Sequence, residues 1–389
     1  MPGNHAFLPA SSSERWLNCP PSAKLNAEAD DKESSYAAEG TLAHAICEVK
    51  LRGYISAIPK RSTTAKLKKL KNDPMYQPEM DGYTEEYLDY IKKIATGFDG
   101  PPTIRAEEQV DYSMFAPEGF GTADCLILFG DELHVIDFKY GKGILVSPEN
   151  NSQLKLYALG AINKFGLIYS FRKVVLHIVQ PRLSNIDEWG ISTADLLAWG
   201  LSIQPIAQQA FNGEGEFKSG AHCRFCKAAA SCKKRAEDNL ALAKYEFRKP
   251  DNDPAATDPM LSDAELAEAL TKGAQLVAWY EDLKEYALTK ILDGGELNGW
   301  KAVEGRGVRA FINPDDVPKR LESIGQSSDL AYERKVLSPA ALEKVLGKKV
   351  FTDNFSDLVE KSKGKPALAP LSDKRAAYVQ ETTAAEDFK

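Results

Sequence analysis

Long hydrophobic runs are missing from this 389-residue chain, and no stretch approaches the ~18 apolar residues that a membrane-spanning helix needs. No membrane partner is expected. The opening Met1-Pro2-Gly3-Asn4-His5 lacks the basic lead and apolar stretch of a signal peptide, which sets the expectation of a cytosolic protein. An excess of positive charge is also missing. Forty-nine Lys and Arg against fifty-six Asp and Glu leave a net charge of −7, which argues against binding nucleic acid by bulk charge and leaves only a local basic groove open. No Gly-x4-Gly-Lys-Ser/Thr motif occurs, so an ATP-driven motor within the chain is not expected. Cysteine is scarce, with six residues, and in a reducing cytosol these read as ligands or core residues rather than three disulfides.

What is present describes a folded protein: 43% hydrophobic and 27% charged residues, over a length sufficient for two or three domains. Ser11 and Glu14 have capping-box spacing ahead of Arg15-Trp16-Leu17-Asn18-Cys19, predicting a short helix stopped by Pro20 and Pro21. A second helix is expected over 36–51, with Ala37, Leu42, Ala45, Ile46 and Val49 on its apolar face and His44 and Glu48 four apart. The acid-free basic run 60–71 predicts an exposed loop or helix, and a third helix follows near 84–96. Strands are expected over 104–112, 121–129 and 132–139, the last two joined by Gly130-Asp131 as an antiparallel hairpin. A helix over 153–165 and a strand over 173–180 complete an α/β core in which helices flank a mixed sheet. The proline-rich segment 248–260 reads as a linker between a domain at 1–247 and a separate α+β region at 261–389, where a long helix over 262–292 and a strand over 300–311 are expected.

Asp137 and Lys139 lie two apart on one strand, so they point to one face while Phe138 points to the other. Asp124, on the partner strand, can add a carboxylate, giving the oxygen-rich site that Mg²⁺ or Mn²⁺ prefers, and His44 could add a fourth group. Taken singly, each has a plainer account: a solvated Asp-x-Lys pair, a hydrogen-bonded core histidine, and Gln153 and Tyr157 on a packed helix face. The two glutamates Glu107 and Glu108 read as surface charges or distant supports of the site. In order, however, Gly40-Thr41-Leu42-Ala43-His44, Gly121-Thr122-Ala123-Asp124, Ile136-Asp137-Phe138-Lys139 and Gln153-Leu154-Lys155-Leu156-Tyr157 resemble the successive motifs of the RecB-like branch of the PD-(D/E)xK nuclease superfamily. The resemblance implies a restriction-endonuclease-like fold. It further implies that His44, Asp124, Asp137 and the Phe138 carbonyl bind the metal, that Lys139 helps activate water, and that Gln153 and Tyr157 position the scissile phosphate or the lysine.

Cys223-x2-Cys226-x5-Cys232 supplies three soft ligands and leaves a tetrahedral or cuboidal centre one short, with Cys19 the natural fourth. Structural Zn²⁺, with His222 as a ligand, and unrelated core cysteines are the alternatives. The arrangement resembles the iron–sulfur staple of AddB-type helicase–nucleases, which implies a [4Fe–4S] cluster tying the ends of the nuclease domain together. Cys47 and Cys125 fall within an expected helix and strand and read as packing residues. Lys218, Arg224, Lys227, Lys233, Lys234 and Arg235 surround the triplet, with Phe225 between two ligands as a base-stacking or packing aromatic.

The Ser-Glu-Arg-Trp-Leu-Asn-Cys-Pro opening and the absence of helicase motifs are similar to a phage- or prophage-associated family of poorly described function. That likeness implies a DNA exonuclease of the bacterial host cytosol, acting in phage recombination, replication or repair, with a phage single-strand-binding or annealing protein as a partner. A structure-specific endonuclease and a non-catalytic DNA-end or single-strand binding module are the rival readings.

Overall fold

The computed structural model describes residues 6–29, 35–56, 60–245, 263–303, 316–323, 327–332, 342, 347–355 and 358–359. Contacts divide the chain into two compact units, Met1–Ala302 and Val303–Lys389. The expected linker 248–260 lies outside the described residues.

The first unit is built on a five-stranded mixed sheet whose spatial order follows the sequence: β1 (Thr103–Asp111), β2 (Phe120–Phe129), β3 (Glu132–Phe138), β4 (Lys173–Gln180) and β5 (Asn185–Ser192). Neighbours are antiparallel except β3 and β4, which run parallel because a helix, Ser152–Phe165, carries the chain back between them. Gly130, at φ 56°, supplies the left-handed residue of the β2–β3 turn.

Around the sheet lie α1 (Ser13–Asn18), α2 (Ser22–Ala27), α3 (Ser35–Ile55), α4 (Lys60–Leu70), α5 (Glu79–Thr96), α6 (Ser152–Phe165), α7 (Thr193–Asn212), α8 (Lys233–Tyr245) and α9 (Asp263–Leu292). One sheet face, through Leu126, Leu128, Leu133 and Val135, packs with Leu156 and Leu159 of α6, Ile203 of α7 and Trp16 of α1. The opposite face, through Cys125, Ile127, Ile136 and Phe138, packs with Ile46 of α3 and Tyr87 and Ile91 of α5. The unit is therefore a mixed α/β layer structure. Cys47 and Cys125 are buried in the second cluster, as packing residues.

Several local expectations change. The capping box at Ser11 does not form, because 10–12 winds as a 3₁₀ turn in which the Ser12 hydroxyl donates to the Pro9 carbonyl. On α3, Ala43 and Cys47 are buried while Ala45 and Val49 are only half-buried, so its inner face is rotated from the one expected. The basic run is helical and largely exposed as α4. The elements β5 and α7 come in addition to those the sequence signals. Gly200 and Pro205 weaken the helical signal of α7, but Leu196, Ile203, Ala207 and Ala210 form its buried stripe and Ser192 caps its first turn, accepting from the Asp195 amide.

In the second unit the described elements include two short helices, Asp316–Ser323 and Lys348–Phe355, the latter carrying the stacked rings of Phe351 and Phe355. The strand expected over 300–311 is described only through residue 303, where Trp300 bridges to Leu297.

Candidate active site and cysteine centre

Asp124 leaves β2 where it faces the end of β3, and the Phe138 amide donates to its Oδ2 at 2.7 Å. From α3, His44 Nδ1 approaches the other oxygen of Asp124 at 3.3 Å. Phe138 itself is fully buried, with its ring 5.3 Å from that of His44 and 5.1 Å from that of Tyr87. The opposite side of β3 presents Asp137 and Lys139, whose Nζ lies 3.0 Å from Asp137 Oδ2. Gln153, in the first turn of α6, joins them: its Oε1 accepts from Lys139 at 2.9 Å, and its Nε2 donates to Asp137 Oδ1 at 2.9 Å and to the Tyr157 hydroxyl at 3.3 Å. Residues far apart in sequence thus form one connected polar cluster at the end of β3.

The charges of this cluster depend on one another. Burial opposes ionisation of Asp124, yet His44 and the Phe138 amide hold its carboxyl below the usual range. Burial and the nearby Asp124 raise Asp137, while Lys139 pulls it the other way. Lys139 is itself raised: burial disfavours its charge, but Asp137 outweighs that. Burial likewise works against the His44 imidazolium, and Asp124 overcomes it to push His44 up to about 9. Asp137 Oδ2 is buried and accepts no hydrogen bond, its partner being the Lys139 ion pair.

Glu107 belongs to the site more closely than the sequence suggested. Its carboxylate, with His44 and Asp124, forms a group whose ligand atoms all lie within 4.8 Å of one another, the spacing of a cation shell. Asp137 stands outside that group of three. Glu107 sits across from Asp124, between the paired residues Ala106–Cys125 and Glu108–Ala123, and at φ 49° it is in the left-handed region. Burial and Asp124 raise its carboxyl to about 7. The sequence offered only two adjacent acids on a strand, with nothing to mark the backbone twist that turns one inward. Glu108 faces away and pairs with Lys164.

Cys19, Cys223, Cys226 and Cys232 all line one small cavity of about 20 Å³, although Cys19 is some two hundred residues from the rest. Asn26 of α2 links the two segments, since its Oδ1 accepts from Arg15 at 2.7 Å and from the Lys227 amide at 2.8 Å while its Nδ2 lies 3.1 Å from Cys226 Sγ. His222 faces Cys19 and Cys223, and those contacts push it up to about 10. Against burial, His222 in turn holds both thiols below their ordinary range. Four cysteines lining one cavity, two of them with lowered thiol pKa, supply the donor chemistry of a soft metal centre.

The basic residues near this centre are not all available. Arg235 is buried and donates to Asp282 at 2.7 Å, Lys234 pairs with Asp238, and Lys218 with Glu216. Arg224 is exposed, and Phe225 is 72% exposed, which rules out the packing role. On α4, Arg61, Lys66, Lys68 and Lys69 face solvent.

Residues 5–376 match a family model described as "Protein of unknown function (DUF2800)". The chain belongs to the DUF2800 family. Among solved structures, this DUF2800 chain is similar to one described as "Crystal structure of SSO0001", at 14% identity and a TM-score of 0.25, over 57% of this chain and 96% of that one. No described helix of this family member is long and apolar enough to cross a membrane.

Proposed function

We propose that this DUF2800 protein is a metal-dependent deoxyribonuclease with a restriction-endonuclease-like core, acting as an exonuclease in phage DNA recombination, replication or repair. The observation that carries the reading is the connected cluster of Asp124, Asp137, Lys139, Gln153 and Tyr157 around the end of β3. The donor set fits a hard divalent cation: His44, Asp124, Asp137 and the Phe138 carbonyl would hold Mg²⁺ or Mn²⁺, with Glu107 as a further carboxylate close to His44 and Asp124. When bound, the ion polarises a phosphoryl oxygen and acidifies water.

The remaining chemistry belongs to the chain. Lys139, charged and fixed between Asp137 and Gln153, stabilises negative charge developing on the phosphate and orients the attacking water. Gln153 holds the lysine and Asp137 in one register, and Tyr157 fixes Gln153 from one helical turn away. Cys19, Cys223, Cys226 and Cys232 would hold a [4Fe–4S] cluster that joins the two ends of the core, with structural Zn²⁺ as the alternative donor match.

The test is digestion of end-labelled linear and circular DNA by anaerobically purified protein, with and without Mg²⁺ or Mn²⁺. Metal-dependent loss of linear DNA with circles intact supports the exonuclease. Cut circles indicate the endonuclease, and binding without cleavage indicates a DNA-end binding module.

A further inference from the structure

The loop that follows the catalytic strand and the turn that carries the cysteines meet at one place. Residues 141–145 continue directly from Lys139 and Tyr140, and all five are exposed. Their backbone is nevertheless fixed by Gln180, only 2% exposed, whose Nε2 donates to the Gly141 and Ile144 carbonyls at 2.8 and 2.7 Å and whose Oε1 accepts from the Val146 amide at 3.1 Å. Against this loop lies Arg224, with Nη2 4.0 Å from where a Cβ on Gly143 would stand. The Arg224 guanidinium is 5.9 Å from the ring centre of Phe225. Arg15 Nη1 donates to the Phe225 carbonyl at 3.2 Å, and the flanking Cys223 and Cys226 both line the sulfur cavity.

The surface so formed joins cations, Lys142 and Arg224, to apolar groups, Ile144, Leu145 and the outward Phe225. Aromatic faces among cations on a rigid backbone are what an unpaired nucleotide recognises, because its base can stack while its phosphate is neutralised. A base inside a duplex already has both faces covered.

We infer that Arg224, Phe225 and the loop 141–145 form a subsite for one unpaired nucleotide beside the catalytic cluster, from which the loop directly continues. The inference rests on the nuclease reading. It also gives the cysteine centre a task, since the centre holds the turn that presents Phe225.

The experiment measures binding of a fluorescein-labelled single-stranded oligonucleotide and of a blunt hairpin duplex, with Ca²⁺ replacing Mg²⁺ to suppress cleavage. Phe225→Ala should weaken single-strand binding by about 5- to 150-fold and change duplex binding less than about twofold. Phe225→Trp should restore binding, with its fluorescence quenched by the oligonucleotide, and Arg224→Ala should lower the salt slope by about 0.7. Iron content and visible absorption, unchanged in Phe225→Trp, report an intact centre. If the wild type binds and cleaves DNA but Phe225→Ala binds single strands equally well, the subsite is wrong and the nuclease reading stands. A wild type that neither binds nor cleaves DNA overturns both.

Discussion

Glu107 holds a left-handed backbone in the middle of a strand whose register continues on either side, a conformation that costs a non-glycine residue about 1–3 kcal/mol. Replacing it by glycine should raise the stability of the metal-free protein by about 1 kcal/mol, because glycine accepts that φ freely. The same change should weaken Mn²⁺ binding, since it removes a carboxylate from the group with His44 and Asp124. Thermal denaturation and Mn²⁺ titration read the two effects, and a stabilised variant with unchanged Mn²⁺ affinity would exclude Glu107 as a ligand.

His44, raised to about 9, and Glu107, raised to about 7, also set a pH dependence. Between pH 7 and 9 a metal must displace the His44 proton, so log affinity should climb with a slope of about one per pH unit, steepening toward about two below pH 7. In the metal-free protein the sign is opposite. The His44–Asp124 pair stabilises the fold fully below the ordinary histidine pKa and is lost as pH rises through about 9. Calorimetric titration across pH 6–9 measures the first trend, and His44→Gln should flatten it.

At the scale of elements, β2 and α6 approach so closely that a Cβ on Gly121 would lie 2.7 Å from the Tyr157 ring. Gly121→Ala should therefore displace Tyr157 and loosen Gln153, lowering turnover of DNA more than its binding, with steady-state kinetics as the check. An unchanged kcat would remove Tyr157 from the positioning network. The strands and helices nearest the site were legible because their signals are local: short apolar runs in β2, β3 and β4 and a Gly-Asp turn between the first two. What could not be read depends on tertiary packing. The acid-rich β5 and the Gly- and Pro-containing α7 carry weak intrinsic preferences, and the inward turn of Glu107 is a backbone event with no side-chain signature. Asp124, Asp137 and Lys139 were legible through strand alternation and the hairpin, and Gln153 only through the motif resemblance, whereas the capture of Arg235 by Asp282 depends on α9, nearly fifty residues away.

Over the whole first unit, the cysteine-lined cavity lies where the N-terminal helices α1 and α2 meet the segment 223–232 that follows the sheet, and Asn26 bonds across that junction. Cys19→Ala should abolish the broad absorption near ~400 nm expected of a [4Fe–4S] centre and lower the unfolding temperature, because a site absent from the unfolded chain contributes its binding energy to folding. Stoichiometric zinc in colourless, anaerobically prepared wild type would instead assign the centre to Zn²⁺.

The central claim, that the cluster around β3 hydrolyses DNA, is tested most directly by comparing wild type with Asp137→Ala and Lys139→Ala on end-labelled linear DNA in Mn²⁺, with circular dichroism and DNA binding in Ca²⁺ as folding controls. The account predicts metal-dependent degradation by the wild type and its loss in both variants, with folding and binding retained. Wild-type rates in either variant would contradict it.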